Sequence, residues 1–398
     1  MTTLPRSMGL LALVVGGLAC ADDGGFALDA SIPGRDAGAR DASTTDDDTS
    51  VPHDADTLDA SEPDIDGGTS DAGTSDGGDA DTGGDTEAGP WTPPPRAPLV
   101  PERDRFASNT FTLGGQTAVF HDEGHAGGVF HTYDAFSACG APRRVHVFLP
   151  RDYAESTARL PVVYFNDGNT TFWPGGASPD AWEAARAVSD LRAAERIEPV
   201  VLVAIHPIER EREYTHAEWL PGRSCCGVSD YARSLATCFK PFVDRHYRTA
   251  PSRAAIVGSS HGGLAAFFTI TRHPETFSFA GALSPSFWAG LDSRSDGAVG
   301  DGSVGESALV TPVRALLASD ARPRLWIDWG LVREGGAHNA IIERLATDRG
   351  REMVTLLEEL GYDGTKLTWL EDPGGAHDEA SWARRLPRVL EQFVGSER

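Results

Sequence analysis

The chain has 398 residues, a formal net charge of −24, 40% hydrophobic residues and five cysteines. That apolar content suffices for a sizeable buried core. With 59 acidic against 35 basic residues and no basic cluster, the chain has no surface suited to nucleic-acid phosphates, which excludes that class of partner. The acidity is uneven: residues 21–90 hold 18 Asp and 2 Glu against 2 Arg, a net of −18. The surplus therefore belongs mostly to one segment and says little about any site elsewhere.

Residues 1–20 begin with a short polar stretch containing Arg6, followed by an apolar run over 8–18 that is too short to span a bilayer as a stable helix. This is the pattern of an export signal. It ends Gly17-Leu18-Ala19-Cys20, which resembles a bacterial lipoprotein signal with its leucine one place late, and Cys20 is the expected lipidation site. Residues 21–98 are mostly Asp, Gly, Ala, Ser and Thr. Such a composition buries too little apolar surface to offset ordering entropy, so a solvated acidic linker is expected, spanning roughly 50 Å as a flexible coil. Asp64-Ile65-Asp66-Gly67 has the letters of a calcium loop, but the spacing does not repeat and no helix flanks it.

Residues 99–398 read as one α/β domain. Apolar strand-like runs near Val145, Val162, Val200, Ala255, Ala280, Leu325 and Leu367 alternate with helical stretches. That alternation implies a mostly parallel, doubly wound sheet, and residues 111–133 read as an added N-terminal β meander. If Cys20 carries lipid, Cys139, Cys225, Cys226 and Cys238 remain. At least one disulfide is expected, with the partners open. A helix starting near Ser229 would place Cys238 roughly 14 Å from the Cys225–Cys226 turn, beyond bridging reach. No C-x-x-C spacing exists, so neither zinc nor any other metal or cofactor is expected.

The stretch richest in chemistry is Gly258-Ser259-Ser260-His261-Gly262-Gly263. An apolar strand (Arg253-Ala254-Ala255-Ile256-Val257) precedes it, and a helical run from Leu264, stopped by Pro274, follows. Strand, G-x-S-x-G, helix is the context of a nucleophile elbow, in which a sharp turn lifts Ser260 above the sheet. A serine nucleophile needs a base, which on such a fold follows it in the chain. Of His261, His273, His338 and His377, only His377 stands in a Gly-rich loop between the last strand-like run and a closing helix over 379–394. His377 is therefore the expected base. The orienting acid should follow the strand Arg324-Leu325-Trp326-Ile327-Asp328-Trp329. Glu334, in the turn beyond Gly330, is the expected acid, with Asp328 inside the strand as the alternative. The oxyanion donors expected are the His261 N–H and an amide of the Gly168–Asn169 region.

At this point the chain resembles the esterase D and enterochelin-esterase-like group of α/β hydrolases, which is similar to feruloyl esterases and mycolyltransferases. The resemblance runs over 145–393. It is carried in order by Val147-Phe148-Leu149-Pro150 with Tyr153, Tyr164-Phe165-Asn166-Asp167-Gly168, Arg212-Glu213-Tyr214-Thr215, and Pro241-Phe242-Val243-Asp244 with Tyr247-Arg248-Thr249. The elbow, Ser284-Pro285-Ser286-Phe287-Trp288, and His377-Asp378-Glu379 with Trp382 follow. It implies a serine hydrolase with Ser260 and His377 in its triad and an acid after the Gly330 turn.

The expected function is cleavage of carboxylic esters through an acyl-enzyme. The alternatives are an acyltransferase with the same triad or a non-catalytic surface binding module. A small-molecule or glycan ester is the expected substrate. Phe172, Trp173, Phe287 and Trp288 are candidate pocket walls, with ordinary core packing as the alternative. Arg212 is a candidate for contact with an anionic substrate, with a structural ion pair as its alternative. The expected location is the bacterial cell envelope, reached by export and held by the lipid on Cys20. Replacing that cysteine (Cys20→Ser) is expected to move the protein from the membrane fraction to the soluble fraction; unchanged membrane association contradicts the anchor.

Overall fold

A computed structural model describes residues 109–175, 179–292, 302–316 and 322–396. The signal segment, Cys20 and the acidic linker lie outside these residues. All the described residues belong to one compact unit, Thr86–Arg398.

Its centre is a ten-stranded sheet in the order β1-β2-β3-β4-β6-β5-β7-β8-β9-β10. The strands are β1 (Asn109–Leu113), β2 (Gln116–His121), β3 (Gly128–Phe136), β4 (Arg143–Pro150), β5 (Leu160–Phe165), β6 (Val201–Ile205), β7 (Thr249–Ser259), β8 (Phe279–Leu283), β9 (Arg324–Gly330) and β10 (Leu367–Asp372). From β1 through β4 to β6 every pairing is antiparallel. From β6 through β5 to β10 every pairing is parallel. The meander expected over 111–133 thus extends the parallel sheet at one edge.

The helices are α1 (Gly168–Thr171), α2 (Ala184–Ala193), α3 (Arg210–Tyr214), α4 (Val228–Ser234), α5 (Lys240–His246), α6 (His261–Arg272), α7 (Val310–Leu316), α8 (Arg344–Glu359) and α9 (Glu379–Val394). Because strand side chains alternate between faces, β6 sends Val201, Val203 and Ile205 into one core and Leu202 and Ala204 into the other. The first core is closed by α4, α6, α7 and α8, the second by α2 and α9. The same alternation on β9 puts Leu325, Ile327 and Trp329 in the first core and Trp326 in the second. Asp328 therefore shares the Trp326 face and meets Arg385 of α9 at 3.1 Å.

Cys139 and Cys238 form a disulfide across a sequence separation of 99, and Cys225 bonds to its neighbour Cys226. The first bridge ties the β3–β4 connection to the π-helical turn between α4 and α5. It closes a long loop of the unfolded chain, whereas the second closes almost none. Replacing Cys139 and Cys238 by Ser is expected to cost about 2–4 kcal/mol in chemical denaturation. Replacing Cys225 and Cys226 should cost clearly less, which paired denaturation curves would measure.

Candidate active site

The turn from β7 into α6 is the frame of the site. Ser260 has φ 54° and ψ −123°, a backbone state that a non-glycine residue adopts only under constraint. The constraint is close backbone approach: a Cβ on Gly258 would lie 2.3 Å from the Gly262 carbonyl oxygen. Ser260 N–H donates to the Leu283 carbonyl (2.9 Å), and its own carbonyl accepts from Leu264 N–H (3.0 Å). The side chain is thereby held at the carboxyl end of the parallel strands, where open α/β sheets gather their chemistry.

His377 stands beside it, its Nε2 3.0 Å from Ser260 Oγ. Its loop is fixed by backbone contacts between the segments after β9 and β10. Leu331 N–H donates to Asp372 O and Val332 N–H to Gly375 O, each at 2.9 Å. Gly330 is required here because a Cβ would lie 2.2 Å from Gly375 O. His377 N–H donates to Asn339 Oδ1 at 2.9 Å, and Asp378 caps α9 by accepting from Ser381 N–H at 2.7 Å. Both partners are largely shielded from solvent, with Ser260 8% and His377 9% exposed.

The carboxylate on His377 Nδ1 is Glu343, not Glu334. Beyond Val332 the chain leaves the sheet, so Glu334 is exposed and its backbone carbonyl accepts from Asn339 Nδ2 at 2.6 Å. A π-helical turn, His338–Glu343, brings the chain back and leads into α8. Glu343 then falls on the inward stripe with Ala346, Thr347 and Gly350 and is fully buried. Its Oε1 accepts from the Ser284 hydroxyl (2.9 Å) and from Gly330 N–H. Burial by itself would raise the Glu343 carboxyl, but the hydrogen bond and charge of His377, the Arg385 charge and the Gly330 N–H outweigh it and hold the group below the usual carboxylate range. The one sequence signal for this residue was a glutamate directly before α8 and in line with its inward stripe, which the distance from Gly330 concealed.

Asp328, the alternative acid, lies beneath the site. It accepts from Trp326 Nε1 at 2.7 Å and pairs with Arg385, and burial pushes its carboxyl up to about 6 against the opposing pull of Arg385 and Trp326. No contact joins it to His377.

A cleft of about 370 Å³ opens over Ser260 and His377, lined by Asp167, Asn169, Thr170, Arg210, His338 and Trp382 among others. Arg210 is held by Asp167 through two hydrogen bonds of 2.7 and 2.9 Å. Trp382 packs edge-on against the His377 ring. His261 opens α6, so its N–H is among those the helix leaves unused. Its ring is buried, and burial with the nearby Arg210, His377 and Arg223 keeps it neutral, far below the usual histidine range. Asn169 reaches the cleft, while Gly168 packs against the β6 backbone, where a Cβ would lie 2.7 Å from Ile205.

The five candidate pocket residues do not line this cleft. Phe172 and Trp173 pack with Phe130 in the second core, and Trp173 Nε1 donates to Glu123 at 2.9 Å. Phe287 packs on Phe267 and Trp288 beside Trp219. Arg212 points to solvent near Glu209, 3.8 Å away. Sequence proximity to the elbow and to the β5 turn misled here: Phe172 and Trp173 follow α1, Phe287 and Trp288 follow β8, and all four are buried among other side chains. Arg210, two residues earlier on α3, is the arginine that faces the site.

The fold is that of an α/β hydrolase. The family model described as "Putative esterase" matches residues 137–393, and the chain belongs to that family. The uncharacterized protein YbbA of Bacillus subtilis (strain 168) is 22% identical over 266 residues, covering 64% of this chain and 94% of YbbA. Among solved structures, an IroE-like serine hydrolase from Shewanella oneidensis aligns with a TM-score of 0.51 at 20% identity, covering 66% of this chain and 80% of that one. The siderophore hydrolase EstA from Aspergillus nidulans is also similar, with a TM-score of 0.49, 20% identity, and 66% and 94% coverage. At 20% identity the likeness to the Shewanella structure is one of fold.

The two glutamates give opposite expectations. Glu343→Gln should lower kcat by orders of magnitude, because the amide cannot stabilise the imidazolium, whereas Glu334→Gln should stay near wild type. Because the Glu343 carboxyl is depressed in the folded state, its contribution to stability is present above the unfolded carboxylate range and lost as pH falls through the lower folded value. Acid denaturation of Glu343→Gln should accordingly show a shallower loss of stability with falling pH than wild type.

Proposed function

We propose that the protein is a serine esterase working through a Ser260–His377–Glu343 triad, exported and held at the cell envelope by lipid on Cys20. The observation that carries the mechanism is the continuous alignment of Ser260 Oγ, His377 Nε2 at 3.0 Å, and Glu343 on Nδ1. Glu343 stays ionised and holds His377 with its proton on Nδ1, leaving Nε2 free to accept. His377 takes the Ser260 proton as Oγ attacks the ester carbonyl. The oxyanion that forms is met by the His261 N–H and by an amide of the Gly168–Asn169 segment, aided by the positive end of α6.

The imidazolium then protonates the leaving alcohol, giving an acyl-serine. Water, deprotonated by His377, attacks this ester, and collapse of the second tetrahedral species returns the proton to Ser260 and releases the acid. A cleft of about 370 Å³ suits a small-molecule ester. Arg210 favours one carrying an anionic or oxygen-rich group, and Trp382 offers a flat apolar wall. The intact alignment argues against a purely binding role. Residues 21–98 serve in this reading as a solvated spacer.

Replacing the nucleophile tests the proposal. Ser260→Ala is expected to lower kcat on a chromogenic ester by up to about a million-fold, as for comparable serine hydrolases, with the melting temperature nearly unchanged. Hydrolysis within tenfold of wild type would overturn it.

A further inference from the structure

Ser260 Oγ has a second neighbour besides His377. The Ser286 hydroxyl lies 3.4 Å away, and Ser286 Oγ is in turn 2.8 Å from His261 Nδ1. Ser286 is fully buried and locked to the elbow by its own N–H, which donates to the Ser260 carbonyl at 3.0 Å. His261 is buried as well, with the Trp219 and Trp288 rings against it. The same short turn touches both ends of the triad, since Ser284 donates to Glu343 while Ser286 meets Ser260.

Proton counting gives one consistent set of directions when His261 carries its proton on Nδ1. The single Ser260 proton points to His377 Nε2, so toward Ser286 the Ser260 oxygen can only accept. The single Ser286 proton then points to Ser260, and the Ser286 oxygen accepts from His261 in its Nδ1–H form. The chain reads His261 to Ser286 to Ser260 to His377 to Glu343, donor to acceptor throughout.

We propose that Ser286 is a further catalytic residue: its hydroxyl donates to Ser260 Oγ while negative charge develops there, and His261 acts as the positioning residue that keeps the Ser286 proton aimed at the nucleophile. The inference rests on Ser260 being the nucleophile. No proton leaves Ser286. During attack the Ser260 proton passes to His377, and the hydrogen bond from Ser286 strengthens as the oxygen gains charge. During deacylation the C–Oγ bond breaks, the departing Oγ takes its proton back from His377, and Ser286 again donates to the developing alkoxide. A hydrogen bond that gains strength only with charge lowers the barrier without tightening substrate binding.

Steady-state kinetics together with single-turnover phosphonylation by a fluorophosphonate probe tests this. Ser286→Ala should lower kcat and the phosphonylation rate by about ten- to a hundredfold, the scale of one hydrogen bond to a charged group, with KM within about twofold. His261→Leu keeps the backbone N–H but removes the side-chain donor and should show a similar loss. His261→Asn returns an N–H close to the Nδ1 position and should recover most of the phosphonylation rate. A Ser286→Ala variant with unchanged kcat and phosphonylation, altered only in melting temperature, would show Ser286 to be packing and overturn the inference. Should Ser286→Ala fail to fold, equal phosphonylation rates for His261→Leu and His261→Asn would overturn it equally. If Ser260→Ala retains hydrolysis, the nucleophile assignment fails instead, a separate outcome.

Discussion

The site depends on one backbone constraint, the left-handed Ser260 at the end of β7. With φ at 54° the chain reverses sharply enough to start α6 directly above the strand. The turn closes because Gly258 has no side chain where it meets the Gly262 backbone, and Gly262 none where it meets the Asp167 carboxylate. Once it is closed, the Ser260 hydroxyl, the His261 N–H and the positive end of α6 converge on one point without any long side chain having to be ordered. The strain is offset by the surrounding sheet, whose strands β5, β7 and β8 bury the turn on both sides. Everything else in the site is brought to that point.

Two buried carboxylates beneath and beside it show how neighbours decide roles. Glu343 and Asp328 are both fully buried. Glu343 meets a histidine, a hydroxyl and an amide, and its acidity is strengthened. Asp328 is governed by its burial, with its carboxyl raised to about 6 despite Arg385. Arg385 also donates to Ser284 Oγ at 3.1 Å, and Ser284 donates to Glu343, so the arginine braces both acids. The Asp328–Arg385 pair leaves Glu343 as the buried carboxylate in contact with His377.

Much of the fold was legible in the sequence because apolar runs of strand length alternated with helical ones. Strands expected near Val145, Val162, Val200, Ala255, Ala280, Leu325 and Leu367 each coincide with a strand of the sheet or adjoin one. That Ser260 and His377 meet in space was readable because short-range order places them, by a turn motif and by a Gly-rich loop before the last helix. Glu343 was not, since its position depends on how far the chain travels after β9 and on a π-helical turn that local propensity does not announce. The pocket residues failed because nearness in sequence does not set side-chain direction: Phe172, Trp173, Phe287 and Trp288 lie in loops beside the site, but their rings are buried in the interior. A half-turn on α3 separates Arg210, which lines the cleft, from Arg212, which faces solvent.

Every step of the proposed reaction requires Ser260 to be the residue whose oxygen attacks. Intact-mass analysis after exposure of the wild-type protein to a fluorophosphonate, followed by peptide mapping, tests this most directly. A single covalent adduct per chain is expected, carried by the peptide containing Ser260 and formed in parallel with the loss of ester hydrolysis. An adduct on another residue, or continued hydrolysis by protein fully modified at Ser260, would contradict it.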